Sequence, residues 1–219
     1  MPIAESPRTR RLPRRGCAIA AAALAAVALT GCSGGATSQE QRSDTYSGDI
    51  TTVVLRFDDS GAKQIGYTTA ALDARVVGTD RDDIRVHRRL EYSDGDKPDE
   101  IIDRAGDTMT ITARCPDRFV VGRPTCVARY EIEVPYGSVV RASSRFGDLT
   151  VTDTRAEVEL RSHYGDVAMV AAAGEDTRYA VDAVSTTGHT AVGIPTDPAG
   201  IPVRLRTEDG SATATTEHR

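Results

Sequence analysis

The chain has 219 residues, with 27 Lys+Arg against 32 Asp+Glu, 5% aromatics, no Trp and four Cys. That length suits one domain, or two small ones. A net charge of −5 argues against a nucleic-acid binder, and four Cys are too few for a disulfide-dense miniprotein.

The first residues read as an address rather than as fold. Arg8, Arg10, Arg11, Arg14 and Arg15 form a basic stretch, and thirteen uncharged residues follow from Cys17 to Leu29. A spanning helix needs about 20 apolar residues, so this run fits the hydrophobic part of a secretory signal. Leu29-Thr30-Gly31-Cys32 comes next. It resembles the lipobox of bacterial lipoproteins, in which the chain is cut between the residues corresponding to Gly31 and Cys32 and the Cys thiol carries the lipid. The alternative is an ordinary secretory signal with a chance Cys. Arg10-Arg11 suggests twin-arginine export, but Leu12 and Pro13 do not suit that pattern, so Sec export is expected.

The expected organisation is a signal over 1–31, a lipidated linker over 32–46, a β domain over 47–215 and a tail over 216–219. The signal holds five Arg and one Glu, which leaves 22 basic and 31 acidic residues, net −9, in the mature chain. A protein so charged is not drawn to an anionic surface or to nucleic acid. Two acyl chains on Cys32 would hold it at the bilayer instead. The stretch Ser33–Tyr46 is polar and lacks a hydrophobic period, so it reads as a flexible tether. As coil, such a tether spans roughly 20 Å. Lys63 and Lys97 are the only lysines beside 25 Arg, a bias resembling that of actinobacterial proteins. The expected location is the outer face of the cytoplasmic membrane.

From Ile50 onward the pattern is all-β. Apolar and polar residues alternate in Ile84-Arg85-Val86-His87, Met109-Thr110-Ile111-Thr112 and Tyr130-Glu131-Ile132-Glu133-Val134, the period of half-buried strands. Asp94-Gly95 marks a turn.

The C-terminal half, 140–214, carries a repeat. Gly147, Gly165, Gly188 and Gly210 are spaced by 18, 23 and 22 residues. At offsets −7, −5, +2 and +4 stand Val140, Ala142, Leu149, Val151; Val158, Leu160, Val167, Met169; Val181, Ala183, Thr190, Val192; and Val203, Leu205, Ala212, Ala214. Fifteen of these sixteen are apolar, where 39% overall predicts about six. Each unit reads as strand, tight Gly turn, strand. Gly supplies backbone freedom at the turn, and Asp148 and Asp166 suit the position after it. One unit cannot bury its own apolar face, whereas stacked units can. The expected fold is a repetitive, solenoid-like stack of β-hairpins, with an antiparallel β-sandwich as the alternative. The small residues Thr190, Ala212 and Ala214 suggest a thin capping end.

Tyr130-Glu-Ile-Glu-Val-Pro-Tyr-Gly137, Arg145-Phe-Gly-Asp-Leu-Thr-Val151 and His163-Tyr-Gly-Asp-Val167 resemble the DUF4097 or toast-rack family, bacterial proteins labelled adhesins. Val192-Gly-Ile-Pro-Thr-Asp-Pro198 resembles the segment before that family's last repeat. The resemblance covers roughly 50–215 and is firm from Tyr130 onward. It implies a β-solenoid-like stack and carries over no catalytic residue. Gly188-His189 and Gly210-Ser211 depart from the family's usual Gly-Asp.

Cys115 and Cys126 are an even pair in an exported chain and read as a disulfide; a free pair or a metal site needing further ligands is the alternative. His87, His163, His189 and His218 are scattered, and His163 and His189 flank turn glycines. Asp58-Asp59-Ser60-Gly61 and Asp80-Arg81-Asp82-Asp83 read as solvated turns rather than calcium loops, because neither has the spacing of an EF-hand. No nucleophile elbow, phosphate loop or dinucleotide motif is present. No cofactor or metal is expected. The expected role is non-enzymatic: binding an envelope protein or polymer, or acting as a spacer or stress sensor. The alternative is a glycan-cleaving enzyme using Asp148 and Asp166 as paired acids.

Overall fold

The computed structural model describes residues 37–58, 69–116, 125–172 and 176–216. Gly31, Cys32, Asp59, Ser60, Gly61 and His218 lie outside these residues. No helix occurs among the described residues, which form fifteen strands. In chain order they are β1 (Thr37–Tyr46), β2 (Thr52–Asp58), β3 (Thr69–Thr79), β4 (Ile84–Ser93) and β5 (Asp99–Ala105). Next come β6 (Thr108–Arg114), β7 (Thr125–Pro135), β8 (Val139–Phe146), β9 (Leu149–Thr152) and β10 (Val158–Tyr164). The last five are β11 (Val167–Ala171), β12 (Tyr179–Ser185), β13 (Thr190–Val192), β14 (Ile201–Asp209) and β15 (Ala212–Thr216).

Two sheets face each other. One runs β1-β4-β7-β3-β9-β11-β15-β13, the other β12-β14-β10-β8-β2-β6-β5. Ten of the thirteen strand pairs are parallel, which decides for the repetitive stack over an antiparallel sandwich. The two strands of a unit do not pair with each other as a hairpin would. Each unit gives one strand to each sheet, and the Gly turn is the corner between them. Apolar side chains of alternate residues meet between the sheets, and Val53, Leu55, Met109, Ile111, Ile132, Leu149, Leu160, Met169 and Leu205 are all at most 1% exposed.

The order of the stack is not the order of the chain. β14 and β15 lie between the strands of the second and third units, because β14 pairs with β10 and β12, and β15 pairs with β11 and β13. The third unit is therefore the end of the stack. Of the expected thin end, Thr190 does lie on the terminal level, but the expectation is corrected for Ala212 and Ala214, which are fully buried, whereas Val181 and Ala183 are half-buried and Val192 is 46% exposed. Twelve of the sixteen repeat positions are buried, and the four that are not belong to this last level, which has a neighbour on one side only.

The N-terminal half contains two further units, β2/β3 and β6/β7. They are inserted so that β2 pairs with β8 and β6, and β3 with β9 and β7. Their corners are longer connections. At the β6/β7 corner, Cys115 and Cys126 form the expected disulfide, each 2% exposed. It closes a loop of 11 residues' separation, worth about 3 kcal/mol in the chain-entropy model. Replacing both cysteines by serine is expected to lower the unfolding free energy by about that amount. Denaturant melts of parent and variant check it, and reductant should destabilise only the parent.

Thr37–Tyr46 is a strand, which corrects the expectation of a flexible tether over 33–46. β1 pairs antiparallel with β4 through ten residue pairs, Thr37 opposite Ser93 to Tyr46 opposite Ile84. Hydrophobic burial does not dictate this strand, so its sequence lacks the usual period. Polar side chains hold it: Arg88 on β4, 5% exposed, ion-pairs with Asp44 on β1 and, at 3.3 Å, with Glu100 on β5. Glu100 also accepts the Tyr130 hydroxyl at 2.7 Å. Burial pushes the Tyr130 phenol well up, and the Glu100 contact adds to this. Lys97 pairs with Glu40 beside it. Inward-facing charges of this kind discourage a foreign strand from pairing with a sheet edge.

Candidate functional site

The corner edge gathers the residues that the repeat singled out, and it is built level by level. A Cβ on Gly147 would lie 2.2 Å from the Leu72 carbonyl oxygen; on Gly165, 2.3 Å from that of Gly147; on Gly210, 2.3 Å from that of Gly165; on Gly188, 1.9 Å from that of Gly210. The glycines are therefore required by close approach of stacked backbones. A hydroxyl three residues before each glycine ties it to the level below. Ser144 donates to Leu72 O, Ser162 to Gly147 O at 3.0 Å, Thr207 to Gly165 O at 2.8 Å and Ser185 to Gly210 O at 2.6 Å.

A second ladder runs through the residues after Gly147, Gly165 and Gly210. The Asp148 N–H donates to the Asp73 carboxylate at 3.0 Å, the Asp166 N–H to Asp148 at 2.8 Å and the Ser211 N–H to Asp166 at 2.6 Å. Arg129 closes the ladder by an ion pair to Asp73 at 3.5 Å. Asp148 and Asp166 are exposed on an open edge, each spending one oxygen on the next level's backbone. A glycosidase needs its two carboxyl groups in a cleft, so this geometry does not support the glycan-cleaving alternative.

Burial pushes the Asp73 carboxyl above its usual range, and the neighbouring Asp148 charge adds to this, while the Asp148 N–H and Arg129 oppose it. The folded chain thus holds a proton on Asp73 more readily than the unfolded chain does. This residue then makes stability fall as pH rises from the ordinary carboxylate value through the raised one. Asp73→Asn keeps an acceptor for the Asp148 N–H and removes that fall. At pH 7 the variant should match or exceed the parent, by less than about 1 kcal/mol, and the gap should close toward pH 3. Urea melts at both pH values test it.

On the other side of the glycines stand aromatic and charged residues. Phe146 and Tyr164, on adjacent levels, stack with centroids 4.9 Å apart and planes 10° apart. The Arg145 guanidinium lies over Phe146 at 5.5 Å. His163 meets Tyr164 edge-on at 4.1 Å and its Nδ1 lies 2.7 Å from Glu208. Tyr164 remains 43% exposed. The sequence reading placed His163 and His189 at turns, and both lie at this corner; His87 instead lies on β4, where its Nδ1 is 2.7 Å from the Ser43 hydroxyl. Asp80-Arg81-Asp82-Asp83 is the β3–β4 turn, in which Arg81 holds Asp83 at 2.6 Å. No three ligating side chains converge on a metal position among the described residues.

The hydroxyl ladder and the aromatic column escaped the sequence reading. The first was visible as Ser or Thr at a fixed offset of −3 from every repeat glycine. The second was not, because the fourth and third units carry Asp209 and Thr187 where the first two carry rings.

No family model and no curated protein matches the sequence. Among solved structures, the chain is similar to a putative cell adhesion protein from Clostridium sporogenes ATCC 15579, with 82% of this chain and 100% of that one aligned at 9% identity and a TM-score of 0.50. The likeness is one of fold. A putative adhesin from Parabacteroides merdae ATCC 43184 aligns over 84% of this chain and 97% of its own at 11% identity, with a TM-score of 0.26. One from Bacteroides fragilis NCTC 9343 aligns over 81% and 97% at 11% identity, with a TM-score of 0.23.

Proposed function

We propose that this chain is a toast-rack domain of the DUF4097 type that serves as a non-enzymatic, adhesin-like binding module, held through a lipidated Cys32 at the outer face of the cytoplasmic membrane. The observation that carries the binding reading is the corner edge. Its acids are engaged in holding levels together, and its rings and remaining carboxylates face outward on a rigid stack. The fold shared with a protein described as a putative cell adhesion protein supports it. The disulfide suits an exported chain. The partner is an envelope protein or polymer within reach of the anchor.

Two measurements test this. A clickable fatty acid fed to the native host should label the parent and not Cys32→Ala, and only the parent should sediment with membranes. The purified mature chain should bind washed envelopes of that host saturably. Absence of label would overturn the anchor, and absence of saturable binding would overturn the adhesive role.

A further inference from the structure

We infer that the exposed ring of Tyr164, with Glu208 and Asp209 beside it, is a seat for a basic side chain, guanidinium or ammonium, presented by a partner protein. This rests on the binding role proposed above and adds the chemistry of the partner. β10 is the middle of three parallel strands here: Tyr164 stands opposite Phe146 on β8 and opposite Asp209 on β14. Phe146 stacks on one side of the Tyr164 ring. The register neighbour of Tyr164 on β14 is the carboxylate Asp209, the His163 ring meets Tyr164 edge-on at 4.1 Å, and 43% of Tyr164 stays in water. The Thr187 hydroxyl donates to Asp209 at 3.2 Å and fixes that carboxylate. Glu208 is fixed by His163 at 2.7 Å.

A cation above an aromatic face is attracted by the ring quadrupole, and a nearby carboxylate adds charge. The chain makes this contact twice with its own residues, Arg145 over Phe146 at 5.5 Å and Arg155 over Tyr136 at 4.4 Å. The Arg145–Phe146 pair lies one level away from the open ring. Charge complementarity favours a basic protein segment over a neutral glycan. A sugar stacked on Tyr164 would cover Asp209 without supplying a cation, whereas a guanidinium or ammonium supplies one. A mature chain of net −9 adds long-range attraction for such a partner.

The test uses the mature chain from Cys32 onward in detergent, with fluorescein-labelled hexa-arginine as probe and chitohexaose as the neutral competitor. Hexa-arginine should bind saturably and more weakly as salt is raised. Tyr164→Ala and Asp209→Asn should each weaken it about three- to tenfold, and Arg56→Ala, on the outer face of β2, should leave it unchanged. Equal binding to parent and Tyr164→Ala would overturn the seat. So would displacement by chitohexaose together with loss of chitohexaose binding in Tyr164→Ala, because the site would then be a sugar platform. If Tyr164→Ala/Asp209→Asn binds washed envelopes as the parent does, the seat is not the partner contact, while the adhesive role itself stands.

Discussion

A chain ended at Gly200 is expected not to fold. Solenoids ordinarily tolerate loss of a terminal unit, because each unit touches only its neighbours. Here the last unit in sequence is an interior level. Removing β14 and β15 leaves β12 and β13 without the strands they pair with, and opens β10 and β11 to water. Val203, Leu205, Ala212 and Ala214 are fully buried, and each Val or Leu contributes roughly 1.5–3 kcal/mol by burial. With four strand pairings lost as well, the deficit is comparable with the roughly 5–15 kcal/mol that typically separates folded from unfolded domains. Circular dichroism and thermal melts of the truncated chain should show no cooperative transition. A cooperative melt close to the parent's would mean that the C-terminal unit is peripheral, contrary to the strand pairing.

Gly165→Ala should cost about 4 kcal/mol or more. The new methyl would stand 2.3 Å from the Gly147 carbonyl oxygen and 2.7 Å from its carbon, at a backbone φ of +156° that side chains rarely adopt. The obstructing atoms are backbone in an adjacent level, hydrogen-bonded on both sides, so neither level can retreat without breaking its ladder. Gly137→Ala is the control: nothing lies within 4 Å of its Cβ position, and a change within about 0.5 kcal/mol is expected. Urea melts of the three proteins decide it. Similar stability of parent and Gly165→Ala would mean that the corners are looser than the stacked geometry requires.

The repeat was legible because two requirements coincide at a fixed offset: an apolar inward row and a glycine where backbones nearly touch. Their agreement over Gly147, Gly165, Gly188 and Gly210 placed the strands, the corners and the buried row of the C-terminal half. It could not place the units in space. Nothing in the sequence around Gly210 says that its carbonyl receives Ser185 from the preceding unit in the chain. That follows from which backbones pair, a property of the whole assembly. The units β2/β3 and β6/β7 stayed hidden because long connections, one of them bridged by Cys115–Cys126, replace the glycine. β1 stayed hidden because its half-buried positions are Glu40 and Asp44, with Tyr46 at its end the one apolar residue packed on the core. At the candidate site, Asp148 and Asp166 were recognised as turn residues, but their role as acceptors for the next level's backbone depends on the parallel register and could not be read beforehand.

Arg88 gives the N-terminal strand a mechanical meaning. Its guanidinium grips Asp44 on one sheet's outermost strand and Glu100 on the opposite sheet's outermost strand. The pairs from Thr37 to Ser43 precede this clasp, so β1 can peel that far, but its detachment beyond Asp44 must also break a tie to the opposite sheet. If Cys32 moors the chain as proposed, a force arriving along β1 would meet this clasp before it reached the body of the stack.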